Sequence, residues 1–211
     1  MYQKGSFITV HGIDGTGKST TVSKLATSLA ALGVATINYD VYETEHTNPF
    51  SPAKKGVLAA TTPEAQFAYY LGSTLYHSQT ISRLVAQGAC VVKTRYLDDV
   101  LAHHAQLGVA NVRKIATLFP IKLPDLMVVL TLPEAVRRAR IRVRGELDAK
   151  DKEVRQEGSR LDFFEHFLLE SAGLLSSSKR SLVIDTSATP PEQVAQIIVA
   201  RMQEIGLVTE H

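Results

Sequence analysis

Residues Gly12 to Thr20 read GIDGTGKST, the spacing G-x-x-x-x-G-K-[ST], and each fixed position meets a requirement of phosphate chemistry. Gly12, Gly15 and Gly17 permit backbone angles that a side chain would forbid, so consecutive N–H groups turn inward around a phosphate. Lys18 reaches the β- and γ-oxygens of a nucleoside triphosphate, and Ser19 offers its hydroxyl to Mg²⁺. The helix that opens here adds the positive end of its dipole. Asp14, Thr16 and Thr20 complete the candidate cradle.

Two other stretches carry charge suited to the same chemistry. In VVKTRYLDD, Val91 to Asp99, an apolar run ends and polar residues begin. Open parallel sheets bind ligands at the carboxyl ends of strands, so Arg95 emerges where an acceptor's phosphate could be held by paired N–H groups. The competing account is a surface ion pair with Asp98 or Asp99. In RRARIRVRGELDAKDKEVRQEGSR, Arg137 to Arg160, Arg138 with Arg142 and Arg140 with Arg144 recur at helical spacing. A solvated helix face is the bland account. Gly145 interrupts the pattern just after the arginines, which suits a hinged flap, about 140–158, that closes Arg140, Arg142 or Arg144 over a transferring phosphoryl group.

These residues need a frame. Short apolar runs alternate with long helical patterns, the signature of an α/β fold: a five-stranded parallel sheet with helices on both faces. Strands are predicted near Phe7 to Val10, Val34 to Asn38, Ala89 to Lys93, Leu126 to Leu130 and Leu182 to Ile184. Behind the glycine loop, Val22, Leu25, Ala26, Leu29 and Leu32 mark the first helix. Three stretches, TTPE at Thr61, TLPE at Thr131 and TPPE at Thr189, each offer a Thr N-cap, a first-turn Pro and a Glu three residues on. Tyr39 to Lys55 and Gly145 to Gly158 are the least regular stretches and are expected to be loops over the site.

Bulk properties exclude several classes. With 211 residues and 45% apolar content the chain can bury one substantial core, so a single domain, 1–211, is expected. A net charge of +2 is too small to imply nucleic acid or membrane partners. Cys90, the one cysteine, cannot form an intramolecular disulfide, and its apolar flank suggests a buried strand in a reducing compartment. No apolar run has the length of a membrane span, and the first strand follows within a few residues of the start; a cytoplasmic location is expected.

Taken in order, GIDGTGKST, TPEAQFAYYL, TRYLDD, PDLMVVLTLPEAVRRAR, RGELD and LDFFEHF resemble the motifs of the thymidylate kinases over nearly the whole chain. The resemblance implies the P-loop NTPase fold, ATP with Mg²⁺ as donor, a nucleoside monophosphate as acceptor and a homodimer. It implies that Lys18 and Ser19 meet ATP and Mg²⁺, that Asp14 meets the acceptor sugar's 3'-hydroxyl, and that Arg95, the Arg of the family's DRY motif, grips the acceptor phosphate. Tyr70 falls where the family stacks an aromatic ring on the base. Asp40 and Tyr42, after the second strand, and Tyr96, beside Arg95, are further candidate acceptor contacts. Thr16 stands where some members carry a catalytic Arg, so the cation is expected from the flap.

The departures concentrate on the acceptor and the metal. Thr94 replaces the Asp of DRY. Thr74 stands where the family's helix sets an Arg against the thymine carbonyl, and His103 with His104 replace Tyr-Gln. Ala149 stands in place of the Arg of ELDR, and NYDVYETEHTNPF contains no REPGG. Of the adjacent histidines, His103 is the candidate for facing the acceptor. The expectation is phosphoryl transfer to a pyrimidine nucleotide other than dTMP. Two alternatives stand beside it. In a nucleoside or other small-alcohol kinase, Asp40 or Glu43 would act as base. In a non-catalytic ATP-binding module, the lost metal carboxylate at Thr94 would be tolerated.

Overall fold

The computed structural model describes residues 5–46, 48–143, 158–176 and 179–209. Five strands form one parallel sheet: β1 (Ser6–His11), β2 (Thr36–Asn38), β3 (Cys90–Thr94), β4 (Leu126–Thr131) and β5 (Ser181–Asp185). Their spatial order is β2-β3-β1-β4-β5. β1 is central and every one of its residues is buried, as expected for a strand covered on both faces.

Helices cover both faces. On one side α1 (Lys18–Ala31) and the C-terminal helix Pro191–Glu204 pack on Ile8, Val10, Val92, Val128 and Leu130. On the other, α4 (Pro63–Ala86) and α5 (Leu97–Gln106) close over Phe7 and Val91, while helix Gly158–Ser176 covers Met127 and Val129. The alternation of these residues between the two faces follows the two-residue period of a strand.

The five predicted strands are all present, within two residues at most boundaries. One loop expectation is corrected and another lies beyond the described residues. Tyr39 to Lys55 is not irregular: α2 (Tyr39–Glu45) is capped by the Asn38 side chain, which accepts from the Asp40 N–H at 3.2 Å, and a 3-10 turn, Ser51–Ala53, leads into α3 (Lys54–Ala60). Aromatic stacking of Tyr42 between Tyr39 and His46 stabilises α2, a tertiary term invisible to local periodicity. Gly145 to Gly158 lies, but for Gly158, outside the described residues.

The Thr-x-Pro-Glu caps are also corrected. The cap of α4 is Thr62 rather than Thr61, with its hydroxyl accepting from the Ala65 N–H at 3.4 Å. Thr131 is the last residue of β4, and its hydroxyl donates to the Ile184 carbonyl. Thr189 donates to the Asp185 carbonyl, leaving Pro190 at the N-cap of the last helix. In both cases the hydroxyl goes to a carbonyl of β5 instead of to the helix N–H groups.

Connections leave β1 toward β2 on one side and β3 toward β4 on the other. Between adjacent β1 and β3 lies the crevice where open parallel sheets take their ligands.

Candidate active site

At the end of β1 the chain turns through Gly12, φ 140°, where an added Cβ would sit 2.5 Å from the Leu130 carbonyl oxygen, so only glycine fits. Gly15 and Gly17 both have φ 93°, and Gly17 opens α1. Lys18 is only 8% exposed and is folded onto its own loop. Its Nζ donates to the Gly12 carbonyl at 2.9 Å and the Ile13 carbonyl at 3.0 Å, with Asp14 Oδ1 at 3.4 Å. Burial, and then the nearby Arg95, lower the Lys18 pKa. Thr16 is buried and donates to the Ile13 carbonyl, whereas Ser19 and Thr20 are exposed on the first turn of α1. A left-handed glycine loop, a lysine and a helix N-terminus together fit a triphosphate, with the Ser19 hydroxyl on the rim for its Mg²⁺.

Arg95 follows β3 directly. Its N–H donates to the Val10 carbonyl at 3.0 Å, and its φ of 54° is a left-handed conformation uncommon for a side-chain-bearing residue. The turn sends the guanidinium to Asp14, Nη2 to Oδ1 at 2.5 Å, rather than to Asp98 or Asp99. Asp99 instead turns inward, accepting from the Tyr96 N–H at 3.1 Å and pairing with the buried Nδ1 of His11.

A cavity of about 670 Å³ opens in front of these residues. The sequence candidates Gly12, Asp14, Asp40, Tyr70, Thr74, Arg95, Tyr96 and His103 all line it. Tyr42 does not; it is engaged between Tyr39 and His46. Thr74 is buried, and its hydroxyl donates to the Tyr70 carbonyl at 2.8 Å. His103 is exposed at the cavity, while His104 is buried beside the rings of Phe67 and Tyr70 and hydrogen-bonded through Nδ1 to the Val100 carbonyl. Burial lowers the His104 pKa.

Opposite Arg95, α2 contributes carboxylates that are already engaged. Asp40 Oδ2 accepts from the Thr94 N–H at 3.0 Å, so a carboxylate stands at the backbone of the position whose own side chain lacks one. Lys93 donates to Asp40 at 3.4 Å and to Glu43 at 3.1 Å, and Glu43 also lies 3.3 Å from His77 Nε2. Burial alone would raise the Glu43 pKa, but Lys93 holds it below the usual carboxylate value. Burial dominates at His77 and pushes its pKa down to about 4, despite Glu43.

The arginine run begins as α7 (Glu134–Val143). Arg137 is buried beneath Gly15, bonded to Glu134 through Nε at 2.7 Å. Arg140 donates to the Thr186 carbonyl at 2.5 Å, and the Thr186 hydroxyl in turn donates to the Thr16 carbonyl at 3.1 Å. Arg142 is exposed, and Arg144 lies outside the described residues. The structure therefore brings the glycine loop, Arg95 and the cavity together, and ties Arg140 to the glycine loop through Thr186. Sequence reasoning passed over His11, Lys93, Asp99 and Arg137. His11 and Lys93 signalled only as polar residues in apolar strands, and Asp99 and Arg137 stand among other charges, so none of the four pointed to its partner.

The fold and site have counterparts among known proteins. A sequence model described as thymidylate kinase matches residues 10–198. The thymidylate kinase of Cereibacter sphaeroides is 34% identical over 95% of each chain, and that of Leifsonia xyli is 30% identical over 94% of each. The solved thymidylate kinase of Candida albicans superposes with a TM-score of 0.69 at 17% identity, covering 97% of this chain and 93% of that one. Glycine loop, Arg95 turn and sheet order thus occur together in a chain that matches these enzymes nearly end to end, and the protein belongs to the thymidylate kinase family, the nucleoside monophosphate kinases that its sequence resembles.

Proposed function

We propose that the protein transfers the γ-phosphoryl group of ATP to a pyrimidine nucleoside monophosphate other than dTMP, giving the diphosphate. The observation that carries this reading is Thr74. Its hydroxyl is spent on the Tyr70 carbonyl at 2.8 Å, so Thr74 itself offers the base no free donor where an Arg would meet the thymine carbonyl. A hydrogen bond to a substrate carbonyl, lost without replacement, costs about 1 to 3 kcal/mol, roughly ten- to a hundredfold in specificity. The thymidylate kinase from Candida albicans is itself described as having broad substrate specificity.

In this reading Lys18 leaves the Gly12 and Ile13 carbonyls for the β- and γ-oxygens, and Ser19 holds Mg²⁺. Bound Mg²⁺ supplies charge neutralisation on the triphosphate. Arg95 exchanges Asp14 for the acceptor phosphate, which frees the Asp14 carboxylate for the sugar 3'-hydroxyl. Tyr70 supplies a flat surface for the base, with Tyr96 and His103 beside the sugar. Asp40 stays on the Thr94 N–H, at the metal side of the crevice. Arg140, Arg142 or Arg144 meets the transition-state charge from a flap at about 140–158 of one kinase domain, 1–211. The alcohol-kinase alternative needs a free carboxylate base, and both Asp40 and Glu43 are paired with Lys93.

An ATP-coupled screen of ribo- and deoxynucleoside monophosphates and of nucleosides tests the reading. A pyrimidine monophosphate other than dTMP with the highest kcat/KM supports it; dTMP in first place overturns it. Sedimentation of the same preparation tests the homodimer that the resemblance implies.

A further inference from the structure

His11 is the last residue of β1 and is 0% exposed, directly before the P-loop. Its Nδ1 pairs with Asp99 Oδ2, and Asp99, 7% exposed, lies in the first turn of α5. The same Oδ2 accepts from the Tyr96 N–H at 3.1 Å. His11 is one residue from the P-loop, and Asp99, four residues after Arg95, holds the N–H of the residue that follows it. Gly12, next to His11, supplies the carbonyl that holds Lys18 Nζ, and Tyr96 follows Arg95. His11 Nε2 and Asp99 Oδ1 have no hydrogen-bond partner among the described residues, so the side-chain link between β1 and α5 runs through Nδ1 and Oδ2. A buried charge-assisted hydrogen bond of this kind fixes geometry strongly, because leaving either partner alone in the interior is costly.

We propose that His11 is a positioning residue for phosphoryl transfer: through Asp99 it sets the P-loop, with Lys18, at a fixed separation from Arg95. The buried contact is a cross-brace between the donor loop and the acceptor-phosphate turn, and neither His11 nor Asp99 need touch a substrate to control how the two approach. The groups that face the pair are few. Asp98 on α5 and Lys18 on α1 act on His11, and Arg95 acts on Asp99. Burial works against charge on both partners, but their mutual attraction wins, raising the His11 pKa and lowering that of Asp99.

The test compares the parent enzyme with His11→Ala, His11→Asn and Asp99→Asn, each checked for an intact fold by circular dichroism. It uses whichever monophosphate the parent phosphorylates best, dTMP included, so a wrong base preference leaves it standing. Misplacing reacting groups by about 1 Å costs about 10²-fold, so His11→Ala is expected to lower kcat by about that factor while the KM for ATP changes less than about threefold. His11→Asn, whose amide can donate to Asp99 in place of Nδ1, is expected to recover most of the turnover.

A folded His11→Ala enzyme with kcat within about twofold of the parent would overturn the inference. So would an Asn variant no better than Ala. The parent's imidazole gives a readout independent of turnover. Its Nδ1 proton, read by ¹H–¹⁵N NMR, is expected far downfield and lost in Asp99→Asn; its absence in the parent overturns the inference even if no monophosphate is a substrate, an outcome that would count separately against the kinase reading.

Discussion

Asp14 and Arg95 form an ion pair, Oδ1 to Nη2 at 2.5 Å, that spans the crevice from the P-loop to the turn after β3. Both side chains are 54% exposed, and such a pair is worth roughly 0 to 1 kcal/mol. A phosphate dianion, able to take the guanidinium through two parallel hydrogen bonds, outcompetes it readily. The pair keeps Arg95 aimed into the crevice without holding it there.

Arg95→Ala is accordingly expected to lower kcat/KM for the monophosphate acceptor by about 10²-fold, with the loss carried largely by the acceptor KM. The KM for ATP should change little. Steady-state kinetics with each substrate varied in turn check this, and an unchanged acceptor KM would remove Arg95 from the acceptor site.

Lys18→Ala is expected to cost about 10²-fold or more in turnover, because a cation is removed from developing charge in a water-poor site. The fold should survive, since the carbonyls of Gly12 and Ile13 that Lys18 now occupies face the crevice and can be hydrated. Activity within about threefold of the parent would refute the role.

The arginines of the flap are expected to separate. Arg140 is anchored on Thr186, which itself holds the Thr16 carbonyl, so Arg140→Ala should disturb the P-loop and weaken ATP binding as well as turnover. Arg142→Ala or Arg144→Ala should reduce turnover far more than ATP affinity for at least one of the two. Three single variants with parental kcat would reduce the run to a solvated helix face.

Acid should destabilise the fold through His77. Its folded pKa, pushed down to about 4, lies below the ordinary 6.5, so the unfolded chain binds the proton more readily. Stability at this group is full above pH 6.5 and falls as pH drops toward 4. With His77 7% exposed, the loss approaches about 3 kcal/mol at full shift. His77→Gln is expected to flatten urea-derived stability between those pH values, and an unchanged slope would contradict the assignment.

Much of this architecture was legible because it is local. The glycine loop needs only backbone angles and one lysine, and the strands are short apolar runs bounded by turns, so periodicity finds both. Arg95 was found because a polar residue ending a buried strand has one place to go. What escaped depends on pairings across long stretches of chain. His11 with Asp99 and Lys93 with Asp40 are each a charge on one element answered by a charge on another, and a single sequence gives no register between helices. The same blindness assigned Thr131 and Thr189 to helix caps, when their hydroxyls bond to carbonyls of β5. It also turned α2 into a loop, since the stack of Tyr39, Tyr42 and His46 forms only after the helix does.

The register of β1 against β3, in which Val10 lies beside Thr94, makes the sheet a ruler. The two substrate-handling loops depart from adjacent strands at the same height, and strands sit about 4.8 Å apart. On the proposed reading, the distance a phosphoryl group must cross is written into the backbone ladder, the least compliant part of the molecule. A slip of one residue would move Arg95 by about 3.3 Å along the strand and turn every side chain of β3 to the opposite face. Loops around the crevice can vary in length without altering that gauge, which leaves acceptor choice open to change while the reaction distance stays constant.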